Sequence, residues 1–394
     1  MEYVNKKLFI IFFFVISIFS CKKTEQAIAE IEQESVQTEI IKAEIFQIEA
    51  VQTEAITPQY SLTLMAAGDN LFHRTIIRTH RKEDTYDFSP IYSEIKSLIE
   101  NADLAFINQE TVMAGEEFDY SGYPLFNTPQ ALARNLADTG FDIVNHANNH
   151  AMDMGETGLC ATLDLWNTIP EITVIGARKE GESARIVTKN NITLGFLSYT
   201  YALNGFSPPA SNPNLVSLIN RRIMTEEINN LRPLCDFLVV SMHWGDEYTM
   251  EPVKAQKDMA LFIAEHNVDL IIGHHPHVLQ KAEKLPRPDG KETLCFYSLG
   301  NLVSNQTERE RVLGALMLVT FVKDDDLYIS SSGLIPVICH FRKDYTGTKI
   351  YPVYLYTDDL LKKHFLYDDE NSLSFEFINS VLSKLNTGII GFVQ

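Results

Sequence analysis

Cationic residues are in short supply in this chain of 394 residues: 33 Lys and Arg stand against 52 Asp and Glu, a formal net charge of -19. Sequence-independent binding of nucleic acid needs an excess of Lys and Arg to neutralise phosphates, so no nucleic acid partner is expected. Cysteine is scarce as well, with 5 in all. The spacings of Cys160, Cys235, Cys295 and Cys339 fit neither a zinc pattern nor a dense disulfide framework, and buried free thiols are expected. Long apolar runs are lacking. The run Leu8–Ser20 has 13 residues, whereas a membrane-spanning helix takes about 18 to 20. Multi-span membrane proteins, collagen and small disulfide scaffolds are thereby excluded. What remains is ordinary globular composition, 45% hydrophobic and 22% charged. The length allows two domains or one large α/β domain with extensions.

The N-terminus stands apart from the rest. Lys6 and Lys7 precede the apolar run, and Ser20-Cys21 follows it, which together read as a secretory signal over residues 1–20. A small residue before a Cys at this place resembles the bacterial lipoprotein processing site, with lipid attached to Cys21. Phe19 departs from the small residue usual there, and an ordinary cleaved signal or an uncleaved anchor is the alternative. Each puts the protein outside the cytoplasm, and lipidation would make it a membrane-anchored lipoprotein. Residues 21–58 form an acidic, low-complexity spacer. Val-Gln-Thr-Glu recurs at 36–39 and 51–54, and residues 24–58 hold 8 Glu against one Lys. Such a stretch buries too little apolar surface to stay folded alone.

From residue 61 short apolar runs alternate with helical patterns. Strands are expected over 61–67, 104–107, 141–144, 172–175, 186–188, 192–198, 237–241 and 270–272. Helices are expected over 88–101, 129–139, 155–166, 219–231 and 254–266. Beyond Ile272 the pattern turns to consecutive strands over 278–282, 293–297, 312–322 and 327–334, with a last helix over 372–385. This order argues for an α/β fold with parallel and antiparallel strands. Ligand sites in such sheets lie beyond the carboxyl ends of the strands.

Five segments place ligand-type side chains directly after apolar runs. They are Gly68-Asp69 with His73; Asn108-Gln109-Glu110; Asn145 to His150 with Asp153; His243-Trp244-Gly245 with Glu247; and Gly273 to His277. Of 11 His, 7 fall in these segments. His80, His266, His340 and His364 lie outside and are read as surface or structural residues. Imidazole with carboxylate and no thiolate suits divalent Mn, Fe or Zn rather than a structural Cys-type zinc site. Trp244 and Tyr248 serve equally as packing residues or ligand contacts. Asn301 is read as a turn residue or a site-facing one.

The phrases AGDNLFH, INQET, SGYPLFNTP, FDIVNHANNHAMDMG, HWGDEY, DLIIGHHPHVLQ and YSLGN resemble the CapA family of bacterial capsule and poly-γ-glutamate synthesis proteins. More distantly they resemble the calcineurin-like metallophosphoesterases. The resemblance implies a four-layer α/β/β/α sandwich with mixed sheets over 59–305, and a β-rich extension with a final helix over 306–394. It implies two divalent metal ions held by Asp69, His73, Glu110, Asn149, His243, His275 and His277. His150 would be catalytic, oriented by Asp153. Asn108, Asn148, His146, His274, Trp244, Glu247 and Asn301 would line the substrate or brace the ligands. The chain departs from the phosphoesterase pattern at Leu71, where a His ligand is usual, and at Ala151, where an acid usually follows the His. His73 and Asp153 are the nearest substitutes, and His274 leaves the two-His motif ambiguous by one residue.

Three functions are compatible with these residues. One is a metal-dependent hydrolase or transferase acting on an anionic cell-surface polymer or a phosphoester precursor. Another is a non-catalytic polymer-binding or assembly factor of a membrane capsule-synthesis complex, which the departures at Leu71 and Ala151 favour. The third is a general periplasmic phosphoesterase.

Overall fold

In the computed structural model, residues 59–181, 185–367, 372–385 and 391–392 are described. The presumed signal, Cys21 and the spacer fall outside them. The strands are β1 (Tyr60–Asn70), β2 (Arg81–Lys82), β3 (Thr85–Tyr86), β4 (Leu104–Gln109), β5 (Ile143–Asn145), β6 (Thr173–Ile175), β7 (Arg185–Lys189), β8 (Ile192–Thr200) and β9 (Phe237–His243). They continue with β10 (Leu270–His274), β11 (Leu279–Pro286), β12 (Glu292–Leu299), β13 (Asn301–Val303), β14 (Leu313–Lys323), β15 (Leu327–His340), β16 (Lys349–Pro352) and β17 (Gly391–Phe392). The larger sheet runs β16-β15-β14-β1-β4-β5-β6, with β13 beside the end of β1 and β17 beside β15. The smaller runs β11-β12-β10-β9-β8-β7. Both are mixed. β1, β4, β5 and β6 are parallel, while β14 to β16 join antiparallel. β8, β9, β10 and β12 are parallel, while β7 and β11 join antiparallel.

The near-continuous apolar runs are explained by burial of both faces of each sheet. Successive side chains of a strand point to opposite faces. Leu62, Leu64 and Ala66 of β1 enter the core shared with Phe196 of β8, Val239 of β9 and Phe296 of β12. Met65 and Ala67 face the other way, onto Phe88, Ile91, Leu132 and Leu136 of the outer helices. The smaller sheet repeats the pattern: Leu238, Val240 and Ile271 pack on Met224, Ile228 and Ile263 of its helices. Helix, sheet, sheet and helix therefore stack in four layers, the arrangement the resemblance implies.

Some elements differ in detail. The single helix expected over 88–101 is two short ones, Ser89–Tyr92 and Lys96–Asn101. The three-residue hydrogen bonds Ser93 N to Pro90 O and Ile95 N to Tyr92 O tighten the chain between them. β15 extends to His340 because its second half is buried beside β14. Residues 313–323 form β14 alongside β1 in the middle of the larger sheet, so this part of the C-terminal segment is built into the sandwich. No described helix is long and apolar enough to cross a membrane. None of the four described cysteines is in a disulfide; Cys295 and Cys339 are buried, Cys160 and Cys235 half-buried.

Two glycines make the strand ends converge. A Cβ on Gly68 would lie 2.0 Å from the carbonyl oxygen of Gly300, and one on Gly273 would lie 2.0 Å from that of Tyr297. The Asp69 N–H donates to that same Gly300 carbonyl at 2.9 Å. Gly68→Ala should therefore destabilise the fold by about 1–3 kcal/mol, the usual cost of overpacking a tight interior. Denaturant unfolding checks this, and an unchanged midpoint would mean that the backbone crossing is not tight.

Candidate metal centre

The parallel strands of both sheets end at one pole. Asp69, next to last in β1, lies beside Asn108 of β4, which in turn faces Asn145 of β5. Across the sandwich, His243 of β9 is in register with His274 of β10. The next residues fold back sharply: His275 and His277, on either side of Pro276, have φ of 97° and 58°. Side chains rarely adopt such backbone angles, and strain of this kind concentrates at functional sites.

Three overlapping groups of potential ligand atoms result, each within 4.8 Å: Asp69, Glu110 and His277; Glu110, His243 and His275; and Glu247, His275 and His277. Glu110 is common to the first two. Its Oε1 lies 3.6 Å from His243 Nε2 and 3.6 Å from His277 Nε2. Asp69 Oδ2 lies 3.1 Å from His277 Nδ1, and Asn149 Oδ1 lies 2.8 Å from His243 Nε2. All these residues except Glu247 are buried.

Whether the set suits a cation is tested by its unmet needs. Both carboxylate oxygens of Glu110, and Nδ1 of His275, are buried without a hydrogen-bond partner. A buried carboxylate with no donor costs several kcal/mol unless an opposite charge compensates it. Two convergent carboxylates, three imidazoles and an Asn oxygen are the donor types of a borderline-to-hard divalent ion. The residues therefore fit a metal.

Burial and neighbouring charges set the protonation of the metal-free set. Burial pushes the Glu110 carboxyl well above its usual range, with the negative charges of Asp69 and Glu247 adding to the rise. Burial also works against the Asp69 carboxylate, but hydrogen bonds and charge from His274 and His277 outweigh it and hold the group low. Burial disfavours the His277 cation too, yet the charge of Glu110 and the bond to Asp69 raise its pKa to about 9. His243 and His275 are kept neutral by burial, His275 down at about 3.

Several predicted residues brace the ligands rather than join them. Asn108 donates to Asp69 Oδ1 at 2.8 Å. The His277 Nδ1–H donates to Asn301 Oδ1 at 3.0 Å, and the Asn301 amide donates to the Arg311 carbonyl at 2.9 Å, which fixes its orientation. That arrangement makes Nε2 the nitrogen that would face a metal once His277 is neutral. Asn148 accepts from the His150 N–H at 3.1 Å and donates to the Gln109 carbonyl at 2.9 Å. His150 Nδ1 lies 2.7 Å from Asp153 Oδ2, which also accepts from the Phe126 N–H at 2.8 Å. His274 stacks on Phe106 with Nδ1 3.4 Å from Asp69 Oδ1.

Three expected site residues have hydrogen-bond partners outside the ligand groups. His73 belongs to none of the ligand groups, and its Nδ1 lies 3.3 Å from the Asn305 N–H. His146 Nε2 accepts from the Trp166 indole at 2.7 Å in the helix layer. Trp244 is buried and donates to the Tyr297 carbonyl at 3.0 Å. Conversely, residues not singled out in the sequence lie close to the centre. Ser198 donates to Asn145 Oδ1 at 2.6 Å, and Asn145 to Asn108 Oδ1 at 2.8 Å, so a buried polar chain runs from the smaller sheet to Asp69. Tyr201 sits against His275 with ring centres 4.6 Å apart, and Asn204 contacts Asn149 and His150. Their positions at the end of β8 and in the loop after it were the available signal.

Residues 63–306 match the family described as bacterial capsule synthesis protein PGA_cap. The chain is 32% identical over 176 residues to the PGA biosynthesis protein CapA of Bacillus subtilis (strain 168), covering 43% of this chain and 44% of that one. It is 26% identical over 261 residues to the capsule biosynthesis protein CapA of Bacillus anthracis, covering 62% and 60%. The chain thus spans between 44% and 60% of the length of these curated relatives. Among solved structures, the NAD nucleotidase of Haemophilus influenzae aligns over 83% of this chain and 67% of that one, at 13% identity and a TM-score of 0.46.

The protonation pattern predicts how metal and pH interact. The His277 cation stabilises the metal-free fold below its unfolded pKa, and this contribution is lost as pH rises through about 9. Glu110, raised in the fold, also makes the metal-free protein less stable as pH rises. A metal needs Glu110 ionised and His277 neutral, so its binding would displace the protons held there. Chelation should lower Tm more at pH 9 than at pH 6.5, as measured by scanning calorimetry on loaded and chelated protein. An equal or reversed difference would contradict the assigned protonation.

Proposed function

The chain belongs to the bacterial capsule synthesis protein family PGA_cap, and from that membership we propose that it is a metal-dependent hydrolase or transferase of capsule biosynthesis. Its substrate in this reading is an anionic cell-surface polymer of the poly-γ-glutamate type, or a phosphoester precursor of one. The observation that carries the reading is the buried Glu110 carboxylate, shared between Asp69 with His277 on one side and His243 with His275 on the other. Two divalent ions bound there would neutralise substrate oxygens and bring the pKa of bound water near neutrality.

The chain's own residues then have distinct tasks. Asp69, Glu110, Asn149, His243, His275 and His277 hold the ions. Asn301 and the Ser198-Asn145-Asn108 chain keep His277 and Asp69 in place. His150, with Nδ1 held by Asp153, would present Nε2 to the substrate, where its imidazolium form could give a proton to a leaving group or steady developing charge. The cations also answer an electrostatic difficulty. A chain of net charge -19 repels a polyanion unless the site itself is positive.

Part of the proposal concerns location. The signal-like residues 1–20 and Ser20-Cys21 support a lipid-anchored protein outside the cytoplasm, working beside membrane partners of capsule assembly. Cys21→Ser should move the protein from the membrane to the soluble fraction after cell fractionation; retention at the membrane would count against a lipid anchor.

One observation favours a second reading. Leu71 is buried and apolar where a further ligand would be useful, so the site could bind polymer without cleaving it. A single variant separates the two readings. His150→Ala with metal content unchanged should reduce turnover of poly-γ-glutamate or of a phosphoester by about a hundredfold or more. Full polymer binding with no turnover in either protein would establish the assembly role instead.

A further inference from the structure

The ligand sets contain one residue without an assigned purpose. Glu247 is exposed, yet its carboxylate oxygen lies within 4.8 Å of ligand atoms of the buried His275 and His277. Its loop is not free to wander. The Trp244 N–H donates to the His274 carbonyl at 3.1 Å, and the Tyr248 N–H donates to the Pro276 carbonyl at 2.8 Å. Glu247 is therefore pinned on both sides to the turn that carries the two histidines. Tyr248 adds to the hold: its ring lies 6.1 Å from that of His277, and the Arg311 guanidinium stacks on it at 3.4 Å.

The position nearest Asp69 is short of ligands. Asp69, Glu110 and His277 are the only acid and imidazole groups grouped there among the described residues. Divalent ions of this class take at least four ligands. Leu71, two residues beyond Asp69, is apolar, and its N–H is bonded to the Val303 carbonyl at 2.9 Å. Charge argues in the same direction. Two dications bring four positive charges to a buried site where Asp69 and Glu110 return two. A third carboxylate reduces the excess that the interior must carry. His275, which groups with Glu247 and His277, has a buried Nδ1 without a hydrogen-bond partner.

We propose that Glu247 is a metal ligand, reaching in from the mouth of the site to bind an ion together with His275 and His277, the second of which also groups with Asp69 and Glu110. This rests on the two-ion reading given above. Because Glu247 is the exposed member of the set, it is also the ligand that an incoming anionic substrate can displace at least cost to the fold.

The test is metal binding by the full-length chain, read by chelator competition with Mn²⁺ and by the absorption spectrum of the Co²⁺-loaded protein. Glu247→Gln and Glu247→Ala should each lose about tenfold or more in affinity for one of two ions, with a changed cobalt spectrum. Asp246→Asn removes the same charge from the adjacent position of the loop and should leave both readouts unchanged. Equal weakening in Asp246→Asn and Glu247→Gln would reduce the effect to through-space charge and overturn the proposal. Two ions bound with unaltered affinity in both Glu247 variants would overturn it while leaving the two-ion centre intact. No uptake by the unmodified chain would remove that centre itself.

Discussion

Two carboxyl groups, Asp69 and Glu110, are buried where the carboxyl ends of β1 and β4 meet the smaller sheet. Hydrogen bonds reach Asp69 from Asn108 and from the His275 N–H, but none reaches Glu110. Keeping the second acid there without compensation is unfavourable, and the surrounding arrangement can be understood as the means of compensating it. His243 and His277 approach the same Glu110 oxygen from the ends of the neighbouring parallel strands β9 and β10. The two positive-φ histidines are held against their backbone preference to do so. The close crossings at Gly68 and Gly273 bring the carrying strands near enough for the side chains to converge.

The bracing of these candidate ligands is as specific as their own placement. Each of the two best-defined ones, Asp69 and His277, has an Asn at its back, and each Asn is fixed by another polar group. Asn108 is held by Asn145, which accepts from Ser198. Asn301 is held by the Arg311 carbonyl and by Gln306. A fully satisfied polar network in a low-dielectric interior sets orientation firmly, since any rotation leaves a buried group unpaired. His150 and Asp153 form a similar pair at the edge of the centre, closed over by Phe126, whose ring stands edge-on to His150 at 4.7 Å.

Much of this could be read from residue order. Strand and helix alternation, the change to consecutive strands after β10, and the concentration of Asp, Glu and His just past apolar runs were all visible. What misled was distance along the chain standing in for distance in space. His73 is only four residues beyond Asp69, but it stands at the start of the helix Arg74–Thr79 and its ring accepts from the Asn305 N–H. His146 follows Asn145 directly, yet Asn145 belongs to the polar chain under Asp69 while His146 meets Trp166 in the helix layer. Ser198 and Tyr201 are not legible as site residues in the sequence, because a Ser and a Tyr near a strand end carry no ligand signature of their own.

By itself, the sequence determined the alternation of strands and helices and which strand ends carry the polar groups, because strands buried on both faces read as apolar runs; the four-layer order came only through the family resemblance. It also determined the kinds of donor available, since those are properties of single residues. Only the tertiary structure decided which donors meet. Convergence depends on how two sheets are set against each other and on how each loop turns after its strand. Those turns follow from close backbone approaches, as at Gly68 with Gly300, and from hydrogen bonds between segments far apart in the chain, such as Asp69 with His275. The shared place of Glu110, and the approach of Glu247 to His275 and His277, belong to that second class.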